Sequence, residues 1–425
     1  MTSRPGWRTV LKRAVGYGWI LFPAALLLKL TPGQVLAGLL IAAWLLRRRR
    51  SRRNAGSSGA RRRGDPFFPP GLKWPLTAFY GWIAVSTLIA SNQGVSPADA
   101  FSKWLYPLLL LPAFSWSAGI GASRRRSAGP EPASGSIRIS LWIFLILLLV
   151  MIICHLLAMR PEDFLTGRFS GGKPNLTTNI MMVLMIFTAL TFNTRGIPAV
   201  VYSLACMVLI TVLFLIFQRG PFLGAAAGLS LLVARRRPVL VAIGLAIVIG
   251  FFATFPESRP VTRTRSIFAP SESTSLRERL ALWKSGMRMI RDRPLVGFAG
   301  RRNFMRFYEI KYREPWTRVI ETPGHVHNSI IHSAVLFGVP GLGLFLWWIT
   351  ILFQKAWSRW RCAGLYRDPV TASLALALLP MLVAMAVNSQ FDLAVAESQR
   401  AMMFYALTGL ILGATTTVGK NRRQP

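Results

Sequence analysis

The sequence predicts an all-α polytopic membrane protein, with about twelve transmembrane helices and a helical loop between the ninth and tenth. Three observations predict it. The 425 residues are 52% hydrophobic, and apolar runs at 139–159, 198–217 and 238–255 approach the ~20 residues that cross a bilayer as a helix. The charge of +36, from 51 Lys and Arg against 15 Asp and Glu, gathers in alternate gaps between such runs, which is the positive-inside pattern. One long gap, 256–326, is densely basic on the side where the alternation leaves almost no cations.

The basic gaps are 4–13, 47–73, 124–126, Arg195, 235–237, 355–367 and 420–423, whereas 92–100 and 390–399 contain no Lys or Arg. The alternation places both termini in the cytoplasm. It gives spans at 14–31, 33–46, 75–91, 101–120, 139–159, 176–193, 197–217, 221–234, 238–255, 328–353, 371–389 and 400–416. The first run is followed by another rather than by a small-residue cleavage site, so it reads as a retained helix, not a signal peptide. Three parts follow: spans one to nine in 1–255, the outer loop in 256–326, and the last three spans with a cytoplasmic tail in 327–425. A basic surplus distributed this way excludes nucleic acid as the partner; the bilayer takes its place. Cys154 and Cys206 fall inside spans and Cys362 in a cytoplasmic gap, so no disulfide is expected on the outer side.

The outer loop has internal order. Ser275-Leu-Arg-Glu278 has the form of a capping box. Behind it, Leu276, Leu280, Trp283, Met287 and Ile290 share one side of a helix that Pro294 ends. Arg279 lies about 60° from the centre of that stripe at ~100° per residue, on the border of the predicted buried face. A second short helix around 303–311 packs Phe304, Phe307 and Tyr308 inward. A solvated basic surface is the plain reading of this loop; a site for a phosphate-bearing anion is the sharper one.

Three of the four histidines stand where this loop enters the tenth span. With Asn328 at the helix start, His327, Ala334, Gly338 and Gly341 share a face on which small residues allow close helix packing. Pro340 can kink the helix. A helix N-terminus and partial burial both favour the neutral imidazole, which suits His327 to accept a proton as a general base. A structural histidine is the alternative, and His325 qualifies for the working role by position alone. A zinc site from His325, His327 and His332 is weakly supported, because that spacing does not share one helical face. Arg219 is an isolated cation at the outer end of two apolar runs, functional or snorkelling. Arg168 and Lys173 add two cations beside a Gly-Gly pair. Asp392 is an isolated acid on the same side, able to orient a base, pair with an arginine or simply face water.

These residues carry a resemblance. His327-Asn328, nine residues, then Gly338-Val-Pro-Gly341 resembles the signature of bacterial O-antigen ligases. Arg279-Leu-Ala-Leu-Trp283 with Asp292-Arg-Pro-Leu-Val-Gly297 is similar to a loop motif shared by O-antigen ligases, O-antigen polymerases and protein O-oligosaccharyltransferases, and Arg219-Gly220 to an arginine-glycine pair of the same superfamily. The resemblance implies a GT-C type glycosyltransferase of the bacterial inner membrane. It would move an undecaprenyl-pyrophosphate-linked glycan onto a hydroxyl of lipid A-core at the periplasmic side, with inversion and without metal or other cofactor. His327 is then the base. Arg219 and Arg279 are the first pyrophosphate contacts, Arg168 and Lys173 the next, and Asn328, His325 and Asp392 complete the substrate site. An O-antigen polymerase or protein O-oligosaccharyltransferase is the nearest alternative. A secondary transporter for anionic solutes is the alternative of a different class, disfavoured because the charges gather at the outer rim rather than at mid-membrane.

Overall fold

The computed structural model describes residues 30–56, 68–91, 104–124, 174–216, 218–236, 274–317, 324–393 and 398–416, with a few isolated positions between them. Every regular element among the described residues is helical. The helices are α1 (Leu30–Gly56), α2 (Lys73–Ser91), α3 (Leu110–Arg124), α4 (Pro174–Asn193), α5 (Ile197–Ile216), α6 (Arg219–Arg236), α7 (Thr274–Asp292), α8 (Arg301–Phe307), α9 (Ser329–Arg361), α10 (Pro369–Asn388) and α11 (Ser398–Ala414). Among the described residues, three stretches are long and apolar enough to cross a bilayer, Leu176–Asn193, Ser329–Arg361 and Pro369–Asn388. Shorter apolar stretches lie within α1, α5 and α11. Among the described residues the protein is all-helical, with the length and apolar composition of a membrane protein. Nine of the twelve predicted spans coincide with helices seen here; those at 14–31, 139–159 and 238–255 lie almost wholly outside the described residues.

Small residues decide which helices pair, as they do where lipid supplies no hydrophobic drive. Gly224 and Gly228 of α6 bring its backbone onto α10, where a Cβ at Gly228 would meet the Pro380 carbonyl at 2.9 Å. Gly409 of α11 sits equally close to α3, its Cβ position 2.8 Å from Ala113 Cβ. Helix α10 lies at the centre, packed against α4, α6 and α9, and its residues from Ala372 to Leu382 are buried without a break.

Helix α9 is two helices joined at Gly338, whose φ of 69° and ψ of −178° are not helical. Pro340 has no N–H to give, so the break leaves carbonyls of the preceding turn without helical donors. The segment 293–300 supplies replacements. Phe298 N donates to Val335 O at 2.9 Å and Ala299 N to Leu336 O at 2.7 Å, while Val339 N turns outward to Pro294 O at 2.7 Å. Trp82 Nε1 of α2 donates to Phe337 O at 2.8 Å, and Ser86 Oγ to Val296 O at 2.6 Å. Any side chain at Gly338 would run into the 294–295 backbone, and one at Gly297 would meet Leu336 O at 2.6 Å. The small face of α9 at Gly338 therefore receives this loop segment, whereas Gly341 does face a neighbouring helix, through Trp82.

One sequence expectation needs correction. Helix α7 starts at Thr274, within one residue of the capping-box serine. Its buried side is formed by Ala281, Leu282, Ser285, Gly286 and Met289, while Leu280 and Met287 are exposed. The face is rotated because α7 docks closely on α9. A Cβ at Gly286 would meet Ile331 Cγ2 at 2.8 Å, so small residues win the interface over the larger apolar ones. The second helix agrees with its prediction: Phe304 and Tyr308 are buried, and Phe307 packs on Phe298 with ring centroids 5.3 Å apart.

Candidate active site

Helix α9 begins where its sequence says it should. Asn328 is the N-cap, its Oδ1 accepting from Ile330 N at 2.9 Å and Ile331 N at 3.1 Å. Its Nδ2 donates to Gln390 Oε1 at 3.2 Å, so the capping side chain also fastens the loop that follows α10. Ser329 adds two further ties to that loop, N to Ser389 O at 2.9 Å and Oγ to Asp392 O at 3.1 Å. Residues 325–329 and 388–393 thus form one unit at this end of the bundle.

His327 lies outside the helix, with φ of 53°. It does not share the helical face of Ala334 and Gly338 that the sequence suggested. A non-glycine residue in this region is strained, and such strain collects at functional sites. The turn swings the ring toward Asp392. His327 Nδ1 is 3.7 Å and His325 Nε2 3.5 Å from the same oxygen, Asp392 Oδ1. The two imidazole centroids are 4.2 Å apart. His327 is the more open of the pair, 31% exposed against 16%. His332 points elsewhere, buried edge-on against Phe304 of α8 at 5.6 Å.

The carboxylate is held from behind. Leu393 N donates to Oδ1 at 2.8 Å. Oδ2 accepts a short hydrogen bond from the guanidinium of Arg400, whose side chain is 3% exposed. Burial by itself would raise the Asp392 pKa, but the facing imidazoles of His325 and His327 and the charge of Arg400 hold it well below the ordinary carboxylate range. Arg400 is the residue that the sequence reading missed. It is the first cation after the 390–399 gap, at the head of an apolar run, where an ionisable group is costly.

Arg279 projects from α7 into the same neighbourhood. It is half-buried, and burial lowers its pKa, while the charge of Asp392 acts in the opposite sense. Arg219 opens α6 and is also half-buried. The adjacent Gly220 packs under Asn388 and Phe391, and a Cβ there would lie 3.2 Å from Phe391 Cβ. Arg219 therefore borders the same 388–392 loop. The structure brings together Arg279, His325, His327, Asn328 and Asp392, with Arg219 alongside; Arg168 and Lys173 lie outside the described residues.

Ligand atoms of His325, His327 and Asp392 fall within 4.8 Å of one another, close enough to hold a metal ion. The donor set does not suit one electrostatically. Arg400 already occupies the carboxylate, and Arg279 is near enough to feel its charge. Cations around a single acid make a place for an anion.

The Asp292-Arg-Pro-Leu-Val-Gly297 motif has a different task. Asp292 accepts from Lys311 Nζ at 2.6 Å and Tyr312 Oη at 2.7 Å. Arg293 lies over the rings of Phe298 and Phe307, both at 4.8 Å. The rest of the motif forms the segment that fills the break in α9.

Among curated proteins, none matches the chain. Residues 180–346 match the family model described as O-antigen ligase. That stretch holds Arg219, Arg279, His325, His327 and the Gly338 break, and over this segment the chain is similar to the O-antigen ligase family.

Proposed function

We propose that the protein is an O-antigen ligase that transfers an undecaprenyl-pyrophosphate-linked polysaccharide to a hydroxyl of lipid A-core. It does so at the periplasmic face of the inner membrane, in a GT-C type bundle of twelve spans with both termini cytoplasmic. The observation that carries this reading is the meeting of Arg279, His325 and His327, which lie in the segment that matches the family, around Asp392, which lies beyond it.

In this reading the acceptor oxygen attacks the anomeric carbon from the face opposite the diphosphate, which inverts that centre. The glycosidic C–O bond breaks, and undecaprenyl pyrophosphate leaves with the electron pair. Arg279 and Arg219 stabilise the charge that grows on the leaving group, as fixed donors do for other oxyanions. Partial burial strengthens Arg279 in this role, since a guanidinium stays charged there while bulk water screens it less. With Nδ1 turned to Asp392, His327 keeps Nε2 for the acceptor proton. Asp392 orients the ring and balances the imidazolium that forms. Arg168 and Lys173 extend the diphosphate grip, and Asn328 and His325 line the acceptor side. Charge stabilisation by guanidinium groups makes the reaction independent of metal.

Transfer between purified lipid-linked glycan and lipid A-core tests this. His327→Ala should lower the rate by about 10²–10⁴-fold, the usual contribution of a general base, while the protein still inserts. Wild-type transfer by that variant removes His327 as base. EDTA should leave the rate unchanged, and strong inhibition would return the histidine cluster to consideration as a metal centre. Offering a second lipid-linked glycan in place of lipid A-core separates ligase from polymerase by the product. Solute uptake into proteoliposomes without glycan transfer would favour a transporter.

A further inference from the structure

We propose that Arg400 is a positioning residue for the transfer reaction, acting on His327 through Asp392. The inference rests on the reading of His327 as the general base. It starts from how the 388–393 loop is held. Backbone and side-chain ties already fix its course: Asp392 N to Asn388 O at 3.1 Å, Ser329 Oγ to Asp392 O at 3.1 Å, and Tyr405 Oη to Val395 O at 3.0 Å. None of these involves Arg400 or the Asp392 carboxylate. Leu393 N holds Oδ1 at 2.8 Å, and Arg400 completes the grip and supplies the balancing charge. It takes Oδ2, which leaves Oδ1 as the oxygen facing the imidazoles.

Two consequences follow for the base. With the carboxylate plane fixed, His327 presents Nδ1 to it and Nε2 away from it, so the same nitrogen always meets the acceptor. The guanidinium also offsets the carboxylate charge. Without that partner the carboxylate would face the two imidazoles with its full charge. Among the described residues, the charged and titratable groups around the pair are His325, Arg279 and Arg400, and Arg400 makes the short hydrogen bond to the carboxylate.

The cost of a buried ion pair supports a working role. Arg400 is 3% exposed and Asp392 22%, and such pairs are often no more stable than an apolar replacement. A chain that needed only to anchor α11 has cheaper means in the same loop, as Tyr405 shows.

The test is steady-state transfer by Arg400→Gln, Arg400→Lys, Asp392→Asn and the double variant Asp392→Asn/Arg400→Gln, with His327→Ala beside them. Arg400→Gln should lower kcat by about 10–100-fold, the range for partners that orient a working imidazole, with KM for the donor nearly unchanged. Arg400→Lys should recover most of the loss. In the Asp392→Asn background, Arg400→Gln should cost less than about twofold, because residues that act as a unit are not additive. Losses that multiply across the double variant, a change confined to KM, or wild-type kcat in Arg400→Gln would overturn the proposal. If Arg400→Gln fails to accumulate, Arg400→Lys and the charge-neutral double variant decide the matter by the same comparison. An active His327→Ala variant would instead remove the base, and so separates that failure from one specific to Arg400.

Discussion

Among the carboxylates that meet an arginine in this protein, two give different results. Glu314 lies between α8 and α9, with Arg288 at 2.8 Å and Lys284 at 3.6 Å. Both cations are well exposed, 45% and 71%, so water screens the pair and each long side chain gives up freedom to form it. Asp392 meets one arginine with almost no exposure, and its other oxygen faces two imidazoles. The chemistry of the two pairs is alike. What differs is the partners: at Glu314 water reaches both cations, while at Asp392 a buried guanidinium takes one oxygen and two imidazoles face the other. The difference teaches that the groups facing an acid, not charge count, mark the working one in a chain with 51 Lys and Arg.

Substitutions can break that contrast. Asp392→Asn should reduce kcat by roughly 10²-fold or more, near the low end of what a general base contributes. Glu314→Gln should transfer glycan at the wild-type rate, and equal losses in the two variants would erase the distinction. Arg279→Lys should be impaired by about tenfold or more, since a point charge loses the planar two-pronged grip on diphosphate, whereas Arg288→Lys should be silent in the same assay.

Stability sharpens the comparison at a second place. Gly338→Ala should destabilise by about 2–4 kcal/mol, because the residue sits at φ 69° with the 294–295 backbone where a side chain would go. Gly343 is in the same helix with nothing within 4 Å of its Cβ position, so Gly343→Ala should be neutral or stabilise by up to about 1 kcal/mol. Thermal unfolding in detergent measures both. Equal behaviour would mean that the break in α9 is not held by the loop segment as described.

The smallest effects concern pH and salt. The folded-state pKa of Asp392 is depressed, so its contribution to stability is present above the unfolded value of about 4 and is lost as pH falls toward the lower folded value. The stability gap between wild type and Asp392→Asn should therefore be widest near neutrality and narrow below about pH 4. A gap that widens on acidification would reverse the assigned direction. Glu314→Gln should cost less than about 1 kcal/mol and lose even that at high salt.

The class of fold was legible because it depends on local and additive properties. Run length, apolar content and the placement of Lys and Arg relative to the gaps are properties of the chain, and nine predicted spans coincide with helices. The Asn328 cap was legible for a related reason, since a cap acts on its own helix within three residues. The sequence misled where two elements compete for one surface. Leu280 and Met287 form a good apolar stripe, yet α7 turns Ala281, Ser285 and Gly286 inward because they permit close approach to α9. Periodicity registers which residues are apolar and not which face a neighbour can accept.

The sequence by itself determined that this chain enters a membrane, where its cations lie along it, and which residue types stand ready for acid–base and anion chemistry. Only the tertiary structure decided their company. His327 leaves the helix, His325 joins it at Asp392, and Arg400, eight positions further on, closes the set from behind. That outcome rests on contacts between segments more than sixty residues apart, such as Asn328 with Gln390, and no local pattern encodes them because their free energy appears only when the helices have packed.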